Sequence, residues 1–214
     1  MSLVVAIDGS SGAGKSTLAR ALAARLALPY VNTGLMYRAV AAQALRDGVD
    51  ADDADALGRI AEGLRCRLTS TAPPALEVEG WPNAELFTLE VESVVSAVAR
   101  HPQVRAALRR AQRALGGPGA VVEGRDIGSV VFPDALVKIM LVAAPEIRVD
   151  RRAEERGSEA AATRDAVLER DRRDARTTPP DAAPDAVVID TTDRDEAETL
   201  AAALAVVAER TAEG

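Results

Sequence analysis

"AIDGSSGAGKSTLARAL", residues Ala6–Leu22, decides the fold. It fills the pattern G-x-x-x-x-G-K-[ST] with Gly9, Gly14, Lys15 and Ser16. Glycines let the backbone wrap closely, so that consecutive N–H groups point at phosphate oxygens. A lysine here reaches the β- and γ-phosphates, and the hydroxyl after it ligates Mg²⁺. The flanks agree with this. "LVVAI" (Leu3–Ile7) is a short, apolar, β-branched run suited to a buried parallel strand. After the loop, Leu18, Leu22 and Leu26 recur at four-residue spacing, which predicts an amphipathic helix ending before Pro29. A helix beginning near Lys15 adds its positive N-terminal dipole. The loop Gly9, Ser10, Ser11, Gly12, Ala13, Gly14, Lys15, Ser16 and Thr17 is therefore the expected polyphosphate site, with Ser16 on the metal. The pattern alone leaves hydrolysis, transfer and simple binding open.

Composition narrows the classes. The chain of 214 residues is long enough for one ordinary domain with a small inserted lobe, and 48% hydrophobic with 28% charged residues is globular composition. Aromatics make up only 2%, so Ala, Val and Leu must build the core. A net charge of −7 argues against a binder of polymeric nucleic acid or of membranes. A single cysteine, Cys66, excludes an internal disulfide and a multi-thiol metal site, and with His101 the only histidine zinc chemistry is not expected. Both are read as structural. No leader and no membrane-spanning apolar run stands out, so the expectation is a cytoplasmic protein. Lysine occurs only at Lys15 and Lys138, every other basic residue being arginine. A compact ammonium on a flexible stem suits phosphate, which fits its retention at Lys15.

Further along, "YVNTG" reads as a brief strand and turn, followed by a helix from Leu35 to about Arg46 with Gly48 as its cap. The acidic stretch Asp47–Asp55 reads as a solvated connection rather than a metal loop. "LEVEG" with "WPN" suggests a strand and turn in a small lobe, in which Trp81 packs. Two helices split at Pro102, then "AVVE", "VKIMLV" and "AVVID" read as strands. Strands alternating with helices imply an α/β fold, a parallel sheet covered on both faces. No Asn-Lys-x-Asp guanine motif occurs, which excludes a switch-type GTPase.

A kinase of small nucleotides needs a second anion site facing the γ-phosphate. In "NTGLMYR", Thr33 sits just before the expected helix start and Arg38 about one turn in, which can cradle a phosphate; the alternative is an ordinary N-cap with an exposed arginine. In "VVEGRDIGSVVF", Glu123, Arg125 and Asp126 fall at the C-terminal end of a strand, where parallel-sheet ligands bind. Arg125 can grip phosphate, Glu123 can organise Mg²⁺ through water, and Asp126 can accept from a base amine. Arg148, Arg152 and Arg156 recur at four-residue spacing beside Arg151. They read as a mobile arginine lid over ATP, neutralising charge on the transferring phosphoryl group, or else as a surface salt-bridged with Glu154 and Glu155. Lys15, Arg125, Arg152 and Arg156 are the expected catalytic set.

The phosphate loop, "NTGLMYRA", "EVESVVSAVARHPQVR", "EGRDIGSVVFPDA" and "ERDRRDAR…APDAVVIDT" together resemble bacterial cytidylate kinase, collinearly from residue 3 to about residue 192. The resemblance implies a P-loop NTPase-like three-layer fold with a five-stranded parallel sheet. It also implies a single kinase domain over residues 1–214, with an inserted CMP-binding lobe at about 60–100 and a helical lid at about 150–170. It implies transfer of the γ-phosphoryl group of MgATP to CMP or dCMP. Thr33, Arg38 and Arg125 would then contact the CMP phosphate, Ser96, Arg105 and Asp126 the cytosine, and Asp174 the sugar. Arg176, or Arg173 in its stead, would reach the acceptor phosphate. Two positions depart from the family pattern: Phe87 stands where arginine is frequent, and Asn32 where aspartate is common.

The chemistry stands independently of the family. Cytosine offers an amino donor beside acceptors, so a carboxylate plus an arginine can read it. Uracil reverses that donor and leaves the carboxylate unpaired, a mismatch of about 1–3 kcal/mol. The expectation is a monomeric, cytoplasmic (d)CMP kinase whose partners are nucleotides. Its rivals are a kinase for UMP or AMP and a non-catalytic P-loop regulator.

Overall fold

A computed structural model describes residues 2–156 and 182–213. The chain opens with strand β1 (Val4–Gly9), whose six residues are all buried. The phosphate loop leads into α1 (Lys15–Leu26), then β2 (Tyr30–Asn32) and α2 (Thr33–Asp47). Next come α3 (Ala54–Gly63), an antiparallel pair β3 (Cys66–Leu68) and β4 (Leu76–Val78), and helices α4 (Asn83–Leu86), α5 (Leu89–Ala99) and α6 (Pro102–Gly116). Strand β5 (Ala120–Gly124) and one π-helical turn (Ile127–Val131) precede β6 (Val137–Val142) and α7 (Pro145–Arg156). Past the undescribed segment, β7 (Val187–Asp190) and α8 (Glu196–Glu213) follow.

The main sheet has five strands in the order β2-β5-β1-β6-β7, and every pairing is parallel. Its centre reads as continuous apolar sequence because both faces are covered. The faces still alternate with period two. Val5 and Ile7 of β1 join Leu18 and Leu22 of α1 and Val206 of α8 on one side. Val4 and Ala6 join Met36 and Val40 of α2 and Leu108 of α6 on the other. Each fully buried Leu or Ile contributes roughly 1.5–3 kcal/mol, and with so few aromatics the close fit comes from alanines such as Ala39, Ala41, Ala42 and Ala44 along α2.

Local signals set the helix ends. Asp53 caps α3 by accepting from Ala56 N at 2.9 Å, so one carboxylate of the acidic stretch serves the backbone. Thr88 caps α5 by accepting from Val91 N at 3.3 Å, and Pro102 opens α6. Helix α2 departs from the sequence expectation, beginning at Thr33 rather than Leu35. Thr33 is thus its first residue, and its hydroxyl donates to Glu123 O across the sheet instead of capping the helix.

Residues 60–100 carry β3, β4, α4 and α5, and they bury Leu76, Val78, Trp81, Leu86 and Val95 in the same cluster as Val31 and Met36 of the sheet side. Trp81 is a packing residue, with the Arg46 guanidinium 4.4 Å above its ring. His101 is buried and donates from Nε2 to Ala51 O at 2.7 Å. Cys66 is half-buried, and burial pushes its thiol up to about 11, which leaves it unreactive at neutral pH. The lid expected at about 150–170 lies largely outside the described residues.

Candidate active site

Parallel pairing brings the strands' C-terminal ends to one edge, where Asp8 lies level with Gly124 and Asn32 level with Glu123. The phosphate loop rises from that edge. Gly12 and Gly14 adopt left-handed φ values of 78° and 88°, which only glycine takes without strain, and which turn the loop amides inward. Lys15 begins α1 and donates from Nζ to Ser10 O at 2.7 Å, folded back over the loop. No acidic residue occupies the first turn of α1, so its N-terminal field is uncompensated and suited to phosphate.

Ser16 faces a buried pair. The Tyr30 hydroxyl donates to Glu123 Oε1 at 2.5 Å, and Ser16 hydrogen-bonds the same phenol. Burial first, then the Glu123 charge, pushes the Tyr30 phenol far above its ordinary value, so it stays a neutral donor. Ser16 and Glu123 line one cavity. A hydroxyl at the loop end and a carboxylate behind it fit Mg²⁺ held chiefly by phosphate oxygens and water. Among the described residues no cluster of three or more acidic, Cys or His side chains forms a metal cage.

The cavity extends from Lys15 to Ser96 and Arg105. Thr33, Arg38, Arg125 and Asp126 also line it, so every acceptor residue anticipated within the described chain reaches one space. Arg38 is 5% exposed, which overturns the alternative of an exposed arginine beside an ordinary N-cap. It donates from Nη1 to Leu86 O at 3.0 Å, approaches Glu92 at 3.6 Å, and lies 4.5 Å from the Phe87 ring centroid. Phe87, at the position of the family's frequent arginine, thus holds a guanidinium rather than adding one.

Asp126 is buried, and Arg105 and Arg109 both donate to its Oδ2, at 2.6 and 3.2 Å. The next residues are pinned by another strand. Asp8 accepts from Ile127 N at 2.7 Å and from Gly128 N at 2.8 Å. Burial raises the Asp8 carboxyl above its usual value, and the nearby Asp126 charge adds to the rise, while those two N–H bonds oppose it.

Helix α7 brings arginines to the loop. Arg148 is buried and donates from Nη1 to Ser11 O at 3.2 Å, and Arg152 donates to Ser11 Oγ from Nε at 3.0 Å. Arg151 turns away, donating to Thr191 Oγ1 at 3.0 Å and Thr191 O at 2.7 Å. Arg148 and Arg152 therefore meet the phosphate loop itself. The side chain of Arg156, together with Arg173, Asp174 and Arg176, lies outside the described residues. A second cavity of about 720 Å³ opens across the loop, lined by Gly12, Thr17, Arg151, Thr191 and Arg194.

Sequence reading missed Asp8, Tyr30, Arg109 and Thr191. Thr191 directly follows β7, and the strand-end rule that found Glu123 would have found it. Asp8, next to last in β1, answers to the same rule, whereas Arg109 left no such signal because its partner lies on another element.

A family model described as cytidylate kinase matches residues 5–209. The chain is 43% identical over 200 residues to the cytidylate kinase of Streptomyces griseus, covering 90% of this chain and 87% of that one. It is 45% identical over 190 residues to the cytidylate kinase of Thermus thermophilus, covering 88% and 90%. The fold is like that in the crystal structure of TT1252 from Thermus thermophilus, with a TM-score of 0.50, 22% identity and 97% of each chain covered.

Proposed function

The chain belongs to the cytidylate kinase family, and from that premise we propose that it transfers the γ-phosphoryl group of MgATP to CMP or dCMP, giving ADP and CDP or dCDP. One observation carries the assignment of parts: the phosphate-loop lysine and the Asp126–Arg105 pair open onto a single cavity.

The acceptor phosphate lies by Thr33, Arg38 and Arg125, with α2's first turn supplying backbone donors. Cytosine is read by Asp126, Arg105 and Ser96, the carboxylate taking the amino group. Lys15 and the loop amides hold the donor phosphates. Arg152 leaves Ser11 to meet the γ-phosphate, while Arg148 keeps the loop in shape. The donor base occupies the second cavity beside Thr191. Ser16 would hold Mg²⁺, with Glu123 acting on it through water, and the ion would supply neutralisation of the phosphate charge. The acceptor phosphate is already nucleophilic, so no side chain must act as a strong base. Rate enhancement comes from alignment, charge neutralisation and exclusion of water. Arg156 in the lid, Asp174 at the sugar and Arg176 at the phosphate complete the reading, which includes a monomer acting in the cytoplasm.

ADP release from MgATP, with CMP, dCMP, UMP, AMP, GMP and dTMP offered in parallel, tests this. Turnover confined to CMP and dCMP is expected, with Asp126→Ala narrowing the CMP-over-UMP gap by about tenfold. Preference for another nucleotide overturns the base site. ATP binding without turnover on any acceptor overturns the kinase.

A further inference from the structure

We propose that Arg109 is a positioning residue for the acceptor base: it holds Asp126 oriented and paired while Arg105 turns from that carboxylate to the nucleotide. The inference rests on the reading that Asp126 and Arg105 recognise cytosine.

Two guanidiniums converge on one oxygen. Arg105 Nη2 and Arg109 Nη2 donate to Asp126 Oδ2 at 2.6 and 3.2 Å, so neither requires Oδ1. They sit four residues apart on α6 and therefore reach the carboxylate from one rigid face. Their surroundings differ. Arg105 lines the acceptor cavity with Asp126, whereas Arg109 is not among the residues that line it. Arg109 acts on a nucleotide only through the carboxylate it grips.

Asp126 needs a lasting counter-charge. It is 6% exposed, and the buried Asp8 carboxyl lies close by. Tyr37 of α2 also faces it and contributes no cation. If Arg105 alone paired with Asp126, turning to the base would strip a buried carboxylate of its partner at the moment it must accept from the amino group. With Arg109 in place, one cation stays on Oδ2 throughout. Arg109 is drawn inward to do so: its Nε is buried and has no hydrogen-bond partner among the described residues. An arginine serving only surface charge would keep that donor in water.

The test is steady-state kinetics of Arg109→Met and Arg109→Lys with CMP and UMP as acceptors, with the KM for ATP as control and circular dichroism for folding. Arg109→Met should raise the KM for CMP about tenfold with kcat within about threefold, leave the KM for ATP unchanged, and cut the CMP-to-UMP ratio of kcat/KM about fivefold or more. Arg109→Lys, which restores a cation without the planar fork, should recover most of that ratio. A ratio within twofold of wild type in Arg109→Met overturns the proposal, as does an equal loss for CMP, UMP and ATP. Should Arg109→Met fail to fold, Arg109→Gln decides: a selective rise in the KM for CMP supports the proposal, and unchanged or uniformly reduced constants overturn it. Wild-type protein without a preference for CMP over UMP would instead sink the underlying base-site reading.

Discussion

The Asp8 carboxylate accepts the backbone N–H of Gly128 at 2.8 Å across 120 residues of sequence. Its other oxygen accepts from Ile127 at 2.7 Å, so the last turn of the phosphate strand fixes the loop that carries Asp126. The strand that leads into the phosphate loop and the segment after Asp126 are thereby joined through a single buried side chain. Asp8→Ala leaves two buried N–H groups unpaired and should destabilise the protein by about 2 kcal/mol or more. Urea unfolding measures this, and CMP binding should weaken in parallel. Asp8→Asn gives the pH dependence. Burial raises the native carboxyl above its usual 3.8, so the protonated native form is favoured. The group's stabilising contribution is complete below that value and declines as the pH rises through the raised one. Wild type should lose stability relative to Asp8→Asn over that rise.

Lys15 stands at the start of α1 with its ammonium folded back to Ser10 O. Lys15→Ala should lower kcat by about a hundredfold to a thousandfold, the scale of losing one aligned cation at the transferring group. The melting temperature should stay within a few degrees of wild type. Near-normal turnover in a folded Lys15→Ala protein would remove the phosphate loop from the chemistry.

A Cβ built at Gly124 would lie 2.6 Å from Thr33 Oγ1 and 2.6 Å from Ile127 Cδ1. Ile127 can yield, but Thr33 is held by its bond to Glu123 O at 2.7 Å. Gly124→Ala should therefore displace Thr33, costing about 1–3 kcal/mol of stability and raising the KM for CMP more than that for ATP. Kinetics with each substrate varied in turn checks the asymmetry.

Lys138 on β6 is 8% exposed and donates to Asp185 at 2.8 and 2.9 Å and to Pro133 O at 2.5 Å. The bond to Lys138 holds the Asp185 carboxyl below its usual value. A depressed carboxyl stabilises the fold above the unfolded value and loses that contribution as the pH falls through the native one. Because Asp185 is half exposed, Asp185→Asn should cost only about 1 kcal/mol at pH 7. The gap from wild type should close on acidification below the ordinary aspartate range, as thermal melts at several pH values would record.

The residues that line the cavity beside the phosphate loop were legible to different depths. Thr33, Arg125 and Asp126 could be found because each adjoins a strand end, and parallel strands deliver their C-terminal ends to one edge. Arg38 was legible as a residue but not in its setting. Only the packing of α4 and α5 on α2 shows it buried, bonded to Leu86 O and stacked on Phe87. Arg148 and Arg152 were legible as a helical pair, yet their bonds to Ser11 could not be read from a spacing of four.

The sequence by itself determined the parallel α/β architecture, the phosphate loop and the kind of chemistry. Each is written in contiguous residues: short apolar β-branched runs, a four-residue helical repeat, glycines placed where the backbone must turn. Tertiary structure alone decided which charges meet. Asp8 finds Gly128, Tyr30 finds Glu123, and Arg105 and Arg109 find Asp126 between elements far apart in the chain. A buried polar group must be satisfied by whatever packing brings beside it, and that partner is set by the register of sheets and the crossing of helices, which local sequence does not encode.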